Sequence, residues 1–308
     1  MSEPTSTSIL HRGAPQPPPS RVSYPLVLRP IQGFSAMFGI LTAMAGYIVV
    51  VQLVVEIVLR IGYILRQGSD YDAYRATALQ YQLPEGLLAG QLGLASLTLV
   101  ALGIAYFFHG RRPRWMFSVQ PGTRWRYLLA TLLVALVVLN GMLWISFSWE
   151  GVPTFNSGQP QAMAFLLVVL LASPLQAMAE EVFFRGYLLQ VIGSATGRAW
   201  LGVLGSSLVF ALMHGSQNPA LFAHRFAFGM VAGWLVLSTG GLEAGIAAHV
   251  INNLGAFGYA IFTTSVAEAS AVSAIGWDKA AWDILTFALF AVIAWWIAKR
   301  MRVATTTP

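Results

Sequence analysis

The chain has 308 residues, of which 56% are hydrophobic and only 10% are charged, and its mean hydropathy is +0.66. Soluble domains carry roughly a quarter charged residues, so this composition excludes an ordinary soluble enzyme and is typical of a polytopic membrane protein. The absence of cysteine excludes disulfides, thiolate metal sites and a cysteine nucleophile, and the net charge of +6 is better explained by orientation in a membrane than by binding of nucleic acid.

The first thirty residues are polar and rich in proline. They lack the apolar run of a signal peptide, and residues 1–30 are predicted to form a disordered cytoplasmic tail. The first hydrophobic helix is therefore expected to be retained as an anchor. Residues 31–303 form the predicted transmembrane domain, and residues 304–308 a short C-terminal tail.

Apolar segments of roughly twenty residues, the length that crosses a bilayer, recur along the rest of the chain. They predict an all-α fold, a polytopic membrane helix bundle of about eight transmembrane helices. The predicted segments are 34–60, 87–108, 127–148, 162–190, 200–217, 220–239, 242–264 and 282–298.

Basic and acidic residues separate to opposite ends of these predicted helices. The basic set is Arg12, Arg21, Arg29, Arg111, Arg112, Arg114, Arg124, Arg126, Arg185, Arg198, Lys299, Arg300 and Arg302. The acidic set is Asp70, Asp72, Glu85, Glu150, Glu268 and Asp278. By the positive-inside rule, both termini are expected in the cytoplasm, with the protein integral and multi-pass in a bacterial inner (plasma) membrane.

The fourth segment contains the stretch AEEVFFRGYLL, with three charges in an apolar context. A charge at mid-bilayer costs at least about 2.5–3.5 kcal/mol, so each needs a partner or a purpose. Glu181 and Arg185 are four residues apart and are predicted to pair on one helix face. Glu180 lies about 100° round the helix from Glu181 and has no partner nearby in the sequence.

Three later polar residues are predicted to lie at the depth of Glu180. At about 1.5 Å per residue from the basic end, Glu180 lies about 15 Å deep, His214 about 21 Å, His249 about 12 Å and Asn253 about 18 Å. Three different helices would thus supply one layer of polar groups. The cleft is expected to open toward the cytoplasm or sideways into the lipid, with peptide entering on the arginine-rich side.

Two kinds of hydrolytic chemistry suit these residues. A desolvated Glu180 can act as general base for a water shared with His214, while His249 and Asn253 donate to the oxyanion that forms on a carbonyl. Alternatively, Glu180, His214 and His249 could hold a catalytic zinc ion that lowers the pKa of its water. The residues alone do not distinguish the metal-free mechanism from the zinc mechanism, so they establish no cofactor.

Three short motifs resemble those of a known family. EEVFFRG at 180–186, FALMH at 210–214 and HVINN at 249–253 are similar to the EExxxR, FxxxH and HxxxN motifs of the CPBP family. This family comprises CAAX proteases and bacteriocin-processing enzymes, is also called the ABI family, and includes the type II CAAX prenyl endopeptidases. The resemblance places a catalytic core at about 162–264.

The resemblance implies a role for each catalytic position. Glu180 would activate the water together with His214, and His249 and Asn253 would form the oxyanion side. Members of the family are described as metal-independent glutamate proteases and are also classified as metalloproteases, so zinc stays open.

Supporting positions and substrate follow from the same resemblance. Glu181 and Arg185 would form a supporting pair, and Phe210 would be a packing residue. The expected partners are the lipid bilayer and a peptide or protein substrate at the membrane, which in bacteria includes leader or bacteriocin-related peptides.

Two other classes of function also keep charged residues inside a membrane. A proton-coupled transporter would use them as a relay and would be expected to show repeats; no repeat is evident in this sequence. A non-catalytic scaffold or immunity protein would use them for packing alone.

Overall fold

The computed structural model describes residues 13–156 and 158–308. Within them the chain is a bundle of helices, which confirms the predicted all-α membrane fold. The α-helices are Gly33–Arg66 (α1), Tyr71–Leu79 (α2), Pro84–Ala95 (α3), Leu97–Phe107 (α4), Trp125–Glu150 (α5), Ala162–Glu180 (α6), Leu189–Thr196 (α7), Ala199–Leu212 (α8), Pro219–Thr239 (α9), Glu243–Thr263 (α10), Val266–Ser270 (α11) and Trp277–Arg300 (α12). A π-helix, Glu181–Leu188, joins α6 to α7.

In the described part of the chain, seven helical segments are long and apolar enough to cross a membrane. Two of them combine adjacent helices: Pro84–Phe107 contains α3 and α4, and Ala162–Thr196 contains α6, the π-helix and α7. The predicted span at 200–217 is the short helix α8, which has 14 residues. At about 1.5 Å per residue it extends only about 21 Å, so His214 lies in the turn after this helix rather than inside it.

Large apolar side chains on the outer faces of the helices are exposed. Leu99 is 74% exposed, and Val137 and Leu171 are each 71% exposed. Such a surface would be unfavourable in water but matches hydrocarbon, the medium in which helices satisfy their own backbone groups. The protein is therefore an integral, multi-pass membrane protein.

The N-terminal segment differs from the prediction of a disordered tail. Residues 1–12 lie outside the described residues, but residues 13–30 pack against the bundle, and Tyr24 and Val27 are fully buried. The Arg111 guanidinium donates to the carbonyls of Gln16 at 2.9 Å, Pro17 at 3.0 Å and Val27 at 2.9 Å. Proline removes backbone donors but leaves carbonyl acceptors, and one buried arginine uses them. Composition alone does not reveal such a partner.

The C-terminal residues pack against the same N-terminal segment. Thr307 donates its N–H to the Val22 carbonyl at 2.9 Å and its hydroxyl to the Pro19 carbonyl at 2.6 Å. Arg124 donates to the Ala304 carbonyl at 3.0 Å. Both terminal segments therefore cover one end of the bundle, and the cytoplasmic location of this end stays a prediction.

His109, just beyond the end of α4, gives the folded protein a pH dependence of its own. Its ring contacts the Tyr187 hydroxyl at 3.0 Å and the Ser35 hydroxyl at 3.4 Å. Burial, together with the nearby Arg111 charge, lowers the pKa of His109 from 6.5 to about 4. Between these values the unfolded chain binds a proton that the folded chain does not, so stability present above pH 6.5 is lost as the pH falls toward 4.

We expect His109→Gln to weaken this pH dependence, because glutamine can still hydrogen-bond but does not titrate. The measurement is the melting temperature of both proteins in detergent between about pH 7.5 and about pH 4.5. The wild type should lose more of its melting temperature than the variant across this range. Parallel curves would show that His109 does not contribute.

Candidate active site

The motif EEVFFRG lies where an α-helix changes into a π-helix. α6 ends at Glu180 and the π-helix begins at Glu181. All eight residues of this π-helix are buried. π-helical turns are rare and occur frequently at functional sites, because the wider turn changes the direction of the side chains on either side of it. The sequence prediction assumes α-helical geometry throughout this segment and does not include the change to a π-helix.

The predicted pair of Glu181 and Arg185 is present and fully enclosed. Arg185 Nη1 donates to Glu181 Oε1 at 3.0 Å, and both side chains are 0% exposed. The guanidinium carbon lies 4.1 Å from the centre of the Phe210 ring. Phe210, predicted as a packing residue, therefore covers the cation with its aromatic face.

His249 lies between the two glutamates of the motif. Its Nδ1 is 2.9 Å from Glu181 Oε1, and its Nε2 is 3.4 Å from Glu180 Oε2. Both ring nitrogens of His249 therefore face carboxylate groups. Glu180, which had no partner in the local sequence, thus has one from α10, and both side chains are almost completely buried.

His214 is oriented by the helix that precedes it. Its Nδ1 lies 2.7 Å from the Phe210 carbonyl. A carbonyl accepts, so Nδ1 carries the proton and Nε2 is left with a free lone pair. The charges of Glu180 and His249 both act on this ring, although no hydrogen bond joins Glu180 to His214 among the described residues. The side chain of His214 is exposed.

Asn253 is held by a residue that the sequence reasoning missed. Its Nδ2 donates to Gln176 Oε1 at 2.8 Å, and its Oδ1 accepts from Asn252 at 3.1 Å. Gln176 is 5% exposed and lies four residues before Glu180 on α6. The sequence feature that could have indicated Gln176 is its position four residues before Glu180, because this spacing places the amide and the carboxylate on one helix face. The pair connects α6 to α10 one turn from Glu180.

A second missed pair fixes the start of α10. Arg124 Nε donates to Glu243 Oε1 at 2.8 Å, and the glutamate side chain is 1% exposed. Glu243 is in the first turn of α10, where a negative charge is favourable. His249 follows six residues later on the same helix.

The π-helix lies between the two groups of helices that carry the motif residues. α6 packs against α3 and α10, α8 packs against α9, and both α8 and α9 contact the π-helix. His214, in the turn after α8, is exposed. The opening of a cleft toward the cytoplasm or sideways into the lipid, expected from the sequence, stays a prediction.

The zinc alternative would need three of these side chains around one ion. A catalytic zinc site uses three protein ligands about 2.0–2.2 Å from one ion. Within the described residues, no group of three or more His, Asp or Glu side chains is gathered in this way. His249 Nε2 and Glu180 Oε2 lie 3.4 Å apart, and zinc stays a prediction.

These observations define the class of protein. It is a polytopic membrane protein in which three helices bring acidic and basic side chains together in the interior. Residues 161–255 match a family described as type II CAAX prenyl endopeptidase Rce1-like, which confirms the resemblance seen in the three motifs. A curated relative, the uncharacterized protein YyaK of Bacillus subtilis (strain 168), is 34% identical over 95 residues.

The aligned region covers 29% of this chain and 32% of YyaK. The chain is thus matched over about a third of this relative's length. The family match extends from the start of α6 into α10, over the helices that carry the motif residues.

Proposed function

We propose that this protein is an intramembrane endopeptidase that hydrolyses a peptide bond close to the membrane surface. The observation that carries the proposal is the meeting of the motif side chains from different helices, with His249 between Glu180 and Glu181. Its substrate is a membrane-tethered peptide or protein, which in a bacterium includes leader and bacteriocin-related peptides. We place substrate entry sideways from the lipid, at the exposed His214, which suits a substrate that diffuses in the bilayer.

In the proposed first step, Glu180 and His214 activate one water molecule. The carboxylate of Glu180 and the free Nε2 of His214 are both acceptors, and together they orient the water and take its proton. The water oxygen bonds to the carbonyl carbon, and the carbonyl π electrons move to oxygen. This gives a tetrahedral intermediate with one negative oxygen.

The oxyanion is stabilised by His249 and Asn253 in this proposal. Glu181 holds the Nδ1 side of the imidazole, and the Nε2–H, which lies 3.4 Å from Glu180 Oε2 without substrate, donates to the oxyanion in this proposal. Asn253 contributes its remaining amide proton, since Gln176 accepts only one. Each oxyanion donor is worth about 2.7–4 kcal/mol in related sites. Collapse of the intermediate breaks the C–N bond, and the proton held by Glu180 passes to the leaving amine.

The proposal also assigns the orientation of the protein in the membrane. We place the end covered by the two terminal segments in the cytoplasm, because the basic residues of the chain concentrate there and cytoplasmic loops carry an excess of Arg and Lys. The bacterial inner membrane is the corresponding location. Neither a zinc step nor a metal ligand is part of this mechanism.

His214→Ala tests the proposed activity. Purified wild type in detergent should cleave a pool of membrane-tethered peptides, and the variant should lose about 10²-fold or more of that rate, the usual size of a general acid–base contribution. Cleavage products are identified by mass spectrometry, with and without a chelator. The melting temperature should stay close to that of the wild type, since the His214 side chain is exposed.

His224→Ala is the matched control. His224 is an imidazole on α9 that lies 3.8 Å from Asp283 and has no role in the proposed reaction. The His224→Ala variant should cleave the peptide pool at the wild-type rate. Equal cleavage by His214→Ala would contradict the assignment, and no cleavage by wild type together with proton-coupled uptake would favour the transporter.

A further inference from the structure

Arg225 on α9 is a half-buried cation with almost no protein partner. Its Nη1 donates to Gln217 Oε1 at 2.8 Å, its one side-chain hydrogen bond among the described residues. No carboxylate of that described part lies within ion-pair distance of it. Its other N–H groups are not enclosed by protein and remain available to a ligand.

The other enclosed arginines of the bundle are compensated. Arg185 and Arg124 each pair with a glutamate, and Arg111 donates to a set of backbone carbonyls. A charged side chain within a membrane is costly and usually marks a ligand pathway when the protein supplies no counter-charge. Arg225 therefore differs from these arginines in needing an anion from outside the chain.

An acidic side chain on a neighbouring helix, Asp283, is already engaged. Asp283 of α12 lies 3.7 Å from Lys279 and 3.8 Å from His224. His224 precedes Arg225 by one residue, so the two side chains leave α9 about 100° apart. Arg225 thus points away from this acidic group.

Arg225 is connected to the turn that carries His214. Gln217 accepts from Arg225 and donates its amide to the Ala211 carbonyl at 2.6 Å. The charge of Arg225 also acts on the His214 ring. Through Gln217, the guanidinium is thus linked to the last turn of α8, which leads directly into the turn that carries His214, a residue of the proposed water site.

We propose that Arg225 binds a carboxylate of the peptide substrate and so determines which peptides are positioned for cleavage, an inference that rests on the proposed function. Arginine suits this ligand because its planar guanidinium can donate two parallel hydrogen bonds to one carboxylate. The carboxylate is either the C-terminus of the substrate or an acidic side chain near the scissile bond. Gln217 is the positioning residue that links the guanidinium to the last turn of α8.

The test compares binding and cleavage of three pools of N-dodecanoyl hexapeptides. One pool has a free C-terminus, one is C-terminally amidated, and one is amidated with a glutamate next to the end. Retention on the protein and kcat/KM are both measured in detergent. Wild type should prefer one carboxylate pool over the plain amide by about tenfold, as expected for a charge-assisted hydrogen bond.

Arg225→Gln should reduce that preference to less than about twofold, and Gln217→Leu should reduce it partly. Lys279→Gln is the matched control, because it removes a nearby cation that already has a partner, and it should keep the wild-type preference. The preferred pool distinguishes a terminal from a side-chain carboxylate. An unchanged preference in Arg225→Gln would overturn the proposal.

The two proposals can fail separately. Hydrolysis by wild type with the same pool preference in Arg225→Gln removes the carboxylate site and leaves the protease. Arg225-dependent retention of the carboxylate pools without any hydrolysis removes the protease and leaves the binding site. Retention of phosphatidylglycerol from mixed micelles that depends on Arg225, without a preference among peptides, would identify a lipid phosphate as the ligand and overturn the peptide proposal.

Discussion

Glu180→Gln is expected to lower the rate of peptide hydrolysis by about 10²–10⁴-fold, the range for loss of a general base. Glutamine keeps the size and one acceptor oxygen of the side chain but cannot take a proton from water. The loss should appear in kcat rather than in KM, because the proposed role of the carboxylate is in the transition state. The measurement is steady-state cleavage of a fluorogenic membrane-tethered peptide.

The fold should tolerate this substitution. His249 keeps its contact with Glu181 at Nδ1, and the amide of the new side chain can still meet its Nε2. Glu85→Gln is the matched control, since Glu85 pairs with Arg66 at a distance of 2.6 Å near the other end of the bundle. Full activity in Glu180→Gln, or equal losses in both variants, would contradict a base at position 180.

The sequence predicted the helical segments well because their signal is local. A run of apolar residues as long as the bilayer is thick must be helical, since backbone groups have no other partners there. The exception is α8, where the apolar run continues through His214 although the helix ends at Leu212. Gly215, at φ +75°, follows in the turn, a conformation that favours glycine and that hydropathy does not register.

The sequence proposed which residues form the site, but most of their contacts could not be predicted from it. Spacing placed Glu181 beside Arg185 within one helix, and this contact is present. Whether His249 would approach Glu180, Glu181 or neither depends on how α10 packs against α6 and on the π-helix, which are tertiary features. Gln176 was missed for the same reason. The role of a glutamine in an apolar helix can be assigned only when its hydrogen-bond partner, here Asn253 on α10, is known.

The packing of the terminal segments could not be predicted from the sequence for a different reason. Residues 13–30 have the composition of a disordered tail, yet one arginine from the loop after α4 and one threonine from the C-terminal end satisfy several of their backbone groups. These partners are 95 and 288 positions distant in the sequence, so no local rule connects them. Their position also bears on the expected route of the substrate, because the arginine-rich end, where the peptide was predicted to enter, is covered by both terminal segments.

Arg185→Met is expected to lower the free energy of unfolding by about 3–5 kcal/mol, the usual cost of removing one partner of a buried ion pair. The substitution leaves the Glu181 carboxylate enclosed without its cation and removes the stacking on Phe210. The measurement is unfolding of the detergent-solubilised protein by denaturant, followed by tryptophan fluorescence.

Arg60→Met provides a matched comparison, because Arg60 also pairs with a glutamate four residues earlier, at 3.1 Å, but its side chain is 61% exposed. Its cost should be below about 1 kcal/mol. The double variant Glu181→Gln with Arg185→Met should recover much of the loss, because a neutral amide needs no cation and still accepts from His249. Equal costs for the two arginines would show that the enclosed pair is not a structural support of the site.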